Sequence, residues 1–285
     1  MTGTTDPLVT DTTDPLATAV TWLFVPASRP DRFAKAVTSG ADAVVIDLED
    51  AVAAGDKATA RDRLRAAWPG NAGIPVVVRV NGPRTAEYAD DLAACRALSP
   101  AAVVLPKTET AAQVRDAGEA SGTRVLPLIE TARGLVALDR ITADPACARL
   151  LFGSIDLALD LDVSDDRALD TARADLVRWS VVNERPAPVD GVSTAVRDEA
   201  AVTRAATRAR AWGFGGKLCI HPAQIAPVRA AFAPAEDEVE WARRVLAAGH
   251  DAAATVDGEM IDRPVVERAR RILHRAELAV RHTTT

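Results

Sequence analysis

Arg124-Val125-Leu126-Pro127-Leu128-Ile129 runs directly into Glu130, and Leu150-Leu151-Phe152-Gly153-Ser154 leads within two residues to Asp156. Both are short apolar runs that end in a carboxylate. Six more runs have the same character: Trp22–Pro26, Ala43–Asp47, Val76–Val80, Ala102–Pro106, Val189–Ser193 and Gly216–Ile220. Short apolar and β-branched runs that alternate with longer helical patterns predict βαβ units and a parallel sheet. Eight such strands, spaced roughly 20 to 40 residues apart, are what a (β/α)8 TIM barrel requires. Between them Lys57 to Ala67, Tyr88 to Ala97, Thr110 to Ala120, Asp165 to Glu184 and Arg197 to Trp212 carry apolar residues at helical spacing. Pro30 opens a further helical turn. The rival architecture, an open doubly wound sheet, usually has fewer strands and a glycine-rich first turn. Here that turn is Phe24-Val25-Pro26-Ala27-Ser28-Arg29-Pro30, without glycine, and no strand is followed by a GxGxxG or P-loop pattern.

The helices Ala235 to Ala248 and Arg263 to Val280 exceed what a barrel needs, and the stretch 251–262 between them reads as an aperiodic loop. The expected organisation is a flexible N-terminal tail over 1–18, a barrel over 19–234 and a C-terminal helical extension over 235–285. The 285 residues are ample for a large core, and 48% hydrophobic with 26% charged residues reads as globular. Aromatics are only 4%, so Ala, Val, Leu and Ile must build that core. A net charge of -6 and the lack of a basic stripe argue against nucleic-acid binding. Runs such as Arg61-Asp62-Arg63 read as solvated helix faces. No 18-residue apolar run exists, so no membrane span is expected, and the Thr- and Asp-rich start does not resemble a secretory signal. Cys95, Cys147 and Cys219 form no CxxC pair, which fits a reducing cytoplasm. Cys219 reads as a small core residue.

Barrel active sites gather at the carboxyl ends of the strands. The charged residues expected there are Asp47, Glu49 and Asp50 after strand 2, Arg79 on strand 3, Lys107 after strand 4, Glu130, Asp156 and His221. Burying an unpaired ion costs several kcal/mol, so such a ring needs partners or a ligand. Glu130 and Asp156, expected on adjacent strands, would repel unless a cation joined them. Oxygen-only ligands favour Mg²⁺, with Mn²⁺ as a substitute, and two carboxylates leave positions for water or substrate. The alternative is ordinary ion pairing, for example Glu130 with Arg133. Arg79 offers a planar fork to a carboxylate or oxyanion, or pairs with Asp47 or Glu49. Arg29 and Lys107 can meet substrate acids or phosphates, or a neighbouring carboxylate. His221 is open to a proton-transfer role or to capping a strand end.

These residues also carry a resemblance. Leu23-Phe24-Val25-Pro26, Asp47-Leu48-Glu49-Asp50-Ala51-Val52, Val78-Arg79-Val80-Asn81, Leu105-Pro106-Lys107, Ile129-Glu130-Thr131-Ala132-Arg133-Gly134, Phe152-Gly153-Ser154-Ile155-Asp156 and Met260-Ile261-Asp262 fall in the order found in one group. The chain resembles the citrate lyase β-subunit-like group of the HpcH/HpaI aldolases, which includes malyl-CoA and citramalyl-CoA lyases. The resemblance runs from about Trp22 to Leu273. It implies that Glu130 and Asp156 bind Mg²⁺, that Arg79 binds the substrate carbonyl or carboxylate, and that Asp47 and Glu49 support that arginine and the metal waters. It further implies that Asp262 reaches a neighbouring subunit's site and handles the proton on the acyl carbon, in a homotrimer or hexamer.

The implied activity is cleavage of a 3-hydroxyacyl-CoA into an acyl-CoA and a 2-oxo acid. The alternatives are a citrate lyase β-subunit acting on a citryl-thioester, a malyl-CoA thioesterase, or an aldolase on free hydroxy-oxo acids. A stand-alone enzyme is favoured by Met260-Ile261-Asp262. Two departures bear on substrate: Ser154-Ile155 stands where Ala-Glu is common in the group, and Ala27-Ser28 where Gly-Asn is common.

Overall fold

Eight strands close into a barrel: β1 Thr21–Pro26, β2 Ala43–Asp47, β3 Val76–Arg79, β4 Val103–Leu105, β5 Val125–Ile129, β6 Leu151–Phe152, β7 Val189–Asp190 and β8 Gly216–Cys219. The structure is a computed structural model that describes residues 14–70, 72–248, 255–257 and 259–281. Every neighbouring pair is parallel, and β8 returns to β1 through Trp22 opposite Leu218. The expected TIM barrel is therefore present, with helices between successive strands. Among the described residues no helix is long and apolar enough to cross a membrane.

The strands alternate, and the alternation sets what faces the barrel axis. Trp22, Ala43, Val45, Val77, Val104, Leu126, Leu128, Leu151, Val189 and Leu218 come from all eight strands yet form one buried cluster. Only the interior of a closed sheet brings such residues together. Stepping two residues further along three of these strands gives Asp47, Arg79 and Glu130. The same pleat that fills the core therefore turns these charges inward at its carboxyl end. The opposite phase faces the helices. There Lys217 Nζ reaches Asp190 Oδ2 at 2.5 Å and the Gly191 carbonyl at 2.7 Å, and Arg173 lies 5.4 Å over the Phe152 ring.

The other end of the barrel is closed by Arg149, 1% exposed, which donates to the carbonyls of Ala187, Leu16 and Ala19 and stacks against Trp22. Burial pushes this guanidinium down to about 9. The last residues of the expected tail over 1–18 take part in these contacts. Residues 15–18 form a helical turn with Leu16 buried, and Asp14 caps it through the Leu16 N–H while pairing with Arg124 at 2.5 Å. The Arg149 bonds to the carbonyls of Leu16, within that turn, and of Ala19, just after it, fix it, and no sequence periodicity over so few residues announces it. The first thirteen positions of that expectation lie outside the described residues.

Several helices form that periodicity did not indicate, among them Ala132–Val136, Leu138–Ala143 and Ser154–Asp160. These three are seven residues or shorter, about two turns, which is too little for a hydrophobic period to register. The chain divides into two compact units, Met1–Val228 and Arg229–Thr285. Within the second, the helices Glu236–Ala248 and Arg263–Arg281 pack around Ala242, Val245, Val266, Ala269 and Ile272. The stretch between them is not wholly aperiodic. Thr255–Val256 and Glu259–Met260 pair as a short antiparallel ribbon, with Asp257 at φ 54 in the turn.

Candidate active site

Asp47 and Arg79 lie opposite one another in the β2–β3 register, so their pairing follows from the sheet itself. Arg79 Nε and Nη2 donate to the two Asp47 carboxylate oxygens, each at 2.7 Å. The Glu49 and Ala51 N–H groups donate to the same carboxylate at 2.8 and 3.0 Å. Asp47 is thus saturated and serves as an anchor. Arg79 Nη1 lies 3.0 Å from Glu49 Oε2 and 3.4 Å from Asp50 Oδ2, and the guanidinium stacks 5.0 Å from the Phe24 ring. Nε and one Nη2 N–H are thereby committed to Asp47 and Nη1 faces Glu49 and Asp50, which leaves the second Nη2 N–H. These carboxylates hold Arg79 above its ordinary pKa against the effect of burial.

The loop that carries Glu49 is bolted in place. Lys57 Nζ donates to the carbonyls of Leu48 and Glu49, and Asn81 Nδ2 donates to Leu48 O and to Asp91. Glu49 is 7% exposed; its Oε1 accepts from Lys107 Nζ at 3.2 Å, while its buried Oε2 has no hydrogen-bond partner. Burial outweighs Arg79 and raises the Glu49 pKa.

Glu130 is 2% exposed, and its Oε1 accepts the Lys107 N–H at 2.7 Å. Among the described residues no Lys, Arg or His nitrogen lies within ion-pair distance of its carboxylate, so the alternative pairing with Arg133 is not formed. Burial, then the charges of Glu49 and Asp156, push its pKa up to about 8. Asp156 is not on a strand as expected. It sits in the first turn of the helix Ser154–Asp160, because β6 stops at Phe152. The two carboxylates are nonetheless near enough for Asp156 to act on Glu130. Lys107 lies in the left-handed region at φ 50, with its ammonium on Glu49 and within electrostatic reach of Glu130.

These features fit a hard divalent cation. A buried acid, Glu130, without a basic partner within ion-pair distance and a second acid, Asp156, acting on it form an oxygen-lined site. Among the described residues no three His, Cys, Asp or Glu side chains form a ready ligand set, so water or substrate oxygens must complete the shell of an ion held here.

A family model described as HpcH/HpaI aldolase/citrate lyase matches residues 21–222, which spans the whole barrel. The chain belongs to that family. Members similar to this chain include a citrate lyase subunit beta-like protein of Mycobacterium tuberculosis, 40% identical over 90% of this chain and 94% of that protein. A (3S)-malyl-CoA thioesterase of Cereibacter sphaeroides is 33% identical over 90% of this chain and 93% of its own length. A solved structure of Mycobacterium tuberculosis CitE in complex with magnesium, acetoacetate and coenzyme A has a TM-score of 0.82 and 37% identity, covering 92% of this chain and 99% of that one.

Within this HpcH/HpaI-type barrel, Asp47, Glu49, Arg79, Lys107, Glu130 and Asp156 converge. Arg29 instead forms an exposed two-bond pair with Asp31, at 2.9 and 2.7 Å. Asp262 belongs to the second unit, where it is exposed and caps the final helix by accepting the Val265 N–H at 3.0 Å. His221 also caps: its Nδ1 accepts the Ala223 N–H while Gln224 returns to the His221 N–H. Cys219 is buried and pushed up to about 12, as a core thiol would be. Gly153 was not singled out for a role. Its place at the end of an apolar run, one position past the Ile129–Phe152 pair and so opposite Glu130, was the available signal.

Proposed function

We propose that the protein is a Mg²⁺-dependent carbon–carbon lyase that cleaves a malyl-, methylmalyl- or citramalyl-type 3-hydroxyacyl-CoA into an acyl-CoA and a 2-oxo acid. The observation that carries the reading is Glu130, a buried carboxyl raised to about 8 beside two other acids and without a basic partner. Glu130 and Asp156 would hold the ion, with Mn²⁺ as a substitute. Bound there, the ion supplies Lewis-acid polarisation of the hydroxy-acid oxygens.

The chain's own groups do the rest. The remaining Nη2 N–H of Arg79 meets the oxygen on which negative charge collects. Glu49 Oε2, without a hydrogen-bond partner, takes the hydroxyl proton as the carbon–carbon bond breaks. The hydroxyl carbon becomes the carbonyl of the 2-oxo acid, and the electron pair of the bond leaves on the acyl thioester as its enolate. Asp262 of a neighbouring subunit returns a proton to that carbon, so the enzyme works as a homo-oligomer, a trimer or hexamer, in the cytoplasm. Lys107 and Arg29 meet the acid and phosphate groups of the substrate. Opening the exposed Arg29–Asp31 pair costs little.

A second reading is supported by the 33% identity to a malyl-CoA thioesterase. In that case the same site hydrolyses the thioester and no carbon–carbon bond breaks. The purified full-length chain with Mg²⁺ and a panel of malyl-CoA, citramalyl-CoA and citryl-thioester substrates separates the two, with products identified by mass. Acyl-CoA plus 2-oxo acid is the expected result. Free CoA plus an intact hydroxy acid selects hydrolysis, and no Mg²⁺-dependent product from any substrate removes both readings.

A further inference from the structure

Glu130 is constrained from two sides by groups that have no side-chain chemistry in common. Its Oε1 is met by the backbone N–H of Lys107, 2.7 Å away, and Lys107 is a non-glycine residue in the left-handed region at φ 50. On the other side stands Gly153, at φ -93 and ψ 73, a backbone conformation that does not require glycine. A Cβ added at Gly153 would lie 2.5 Å from Glu130 Cβ and 2.6 Å from Glu130 Oε2. The need for glycine there is thus a need for space beside one side chain. The first of those contacts is to the root of the glutamate, which no change of its outer torsions can relieve.

The register explains why these groups meet. Gly153 N–H donates to Ile129 O at 2.9 Å, so the residues after that pair, Glu130 and Gly153, face each other across the β5–β6 seam. The Lys107 turn follows β4 on the other flank of β5. We propose that Gly153 and the Lys107 backbone act together as positioning elements that fix the rotamer of Glu130. The bare Cα makes room for the carboxylate, and the left-handed turn supplies the N–H that orients it. The Lys107 ammonium, which lies on Glu49 at 3.2 Å, is not part of this device.

This inference rests on the metal reading of the site, and the test keeps the two apart. Mg²⁺ is titrated calorimetrically into the full-length wild-type protein and into Gly153→Ala, Lys107→Gly and Lys107→Val, without substrate, and each metal-free protein is melted. Wild type is expected to bind. Gly153→Ala is expected to bind at least about tenfold more weakly. Lys107→Gly, which loses the ammonium but accepts a positive φ freely, is expected to stay within about threefold of wild type. Lys107→Val, whose branched side chain resists that φ, is expected to weaken binding about as much as Gly153→Ala. A purely structural role for position 107 would not rank glycine above valine in metal affinity.

Should Gly153→Ala not fold, the two Lys107 variants decide alone. Wild-type binding with undiminished affinity in Gly153→Ala, or equal losses in Lys107→Gly and Lys107→Val, overturns the positioning role and leaves the metal reading intact. Failure of the wild-type protein to bind Mg²⁺ removes the metal reading and this inference with it.

Discussion

At the scale of single residues, the site is built from a neutralised arm and a charged arm. Asp47 and Arg79 share two charge-assisted hydrogen bonds, so removing Asp47 leaves the half-buried guanidinium with only Glu49 and Asp50. Breaking such a pair costs about 3–5 kcal/mol. Asp47→Asn is therefore expected to lose about 3 kcal/mol of unfolding free energy, read from urea melts, with turnover falling as Arg79 is freed to move. Arg79→Lys keeps a charge but loses the fork, and kcat/KM is expected to drop about a hundredfold. Glu130 governs the pH response. Its folded pKa of about 8 lies above that of a free glutamate, so the neutral form favours folding. That contribution is complete at acid pH and is lost as pH rises through about 8. Mg²⁺ binding needs the ionised form and runs the other way. Apparent affinity is expected to rise about tenfold per pH unit up to about 8 and then level off. Glu130→Gln should flatten the stability change of the metal-free protein in calorimetric melts; an unchanged slope assigns the titration to another group.

At the scale of elements, the strands place these residues and the helices hold the strands. The Thr110 capping box joins its side chain to Gln113 N–H and Gln113 to the Thr110 N–H, starting the helix Ala111–Ser121. Thr110→Ala is expected to cost about 1 kcal/mol in thermal or urea unfolding with catalysis unaffected. How much was legible differs by element. Eight strands were readable because an all-apolar run of this length has no other comfortable place, and several boundaries agree to within a residue. The apolar run from Leu150 to Ser154 predicts a longer strand than the two residues that pair. Gly153 ends the pairing, and Asp156 comes to the site on a helical turn. The short helices and the ordered turn over 15–18 were illegible because their residues are held by contacts from distant segments, such as Arg149 on Leu16 O.

At the scale of the whole molecule, the proposal that Asp262 serves a neighbouring subunit's barrel predicts complementation. Asp262→Asn and Glu130→Gln are each expected to be inactive alone. Mixed oligomers, formed by dissociating and reassociating the two, are expected to regain a fraction of wild-type activity. No recovery in mixtures shown to contain both chains would confine Asp262 to its capping role. The amino-acid order by itself determined the barrel, since its strands are continuous apolar runs whose burial needs no partner beyond the closed sheet and its helices. It also determined which charges stand at the strand ends, because a two-residue pleat carries Leu126 and Leu128 forward to Glu130 and Ala43 and Val45 to Asp47. Only the tertiary structure decided what those charges do. Cross-strand register set Arg79 against Asp47, left Glu130 without a counter-ion, and put Gly153 where a methyl group would not fit. Local sequence carries the period of a strand, but pairing between strands depends on distances across the sheet, and those exist only once the barrel has closed.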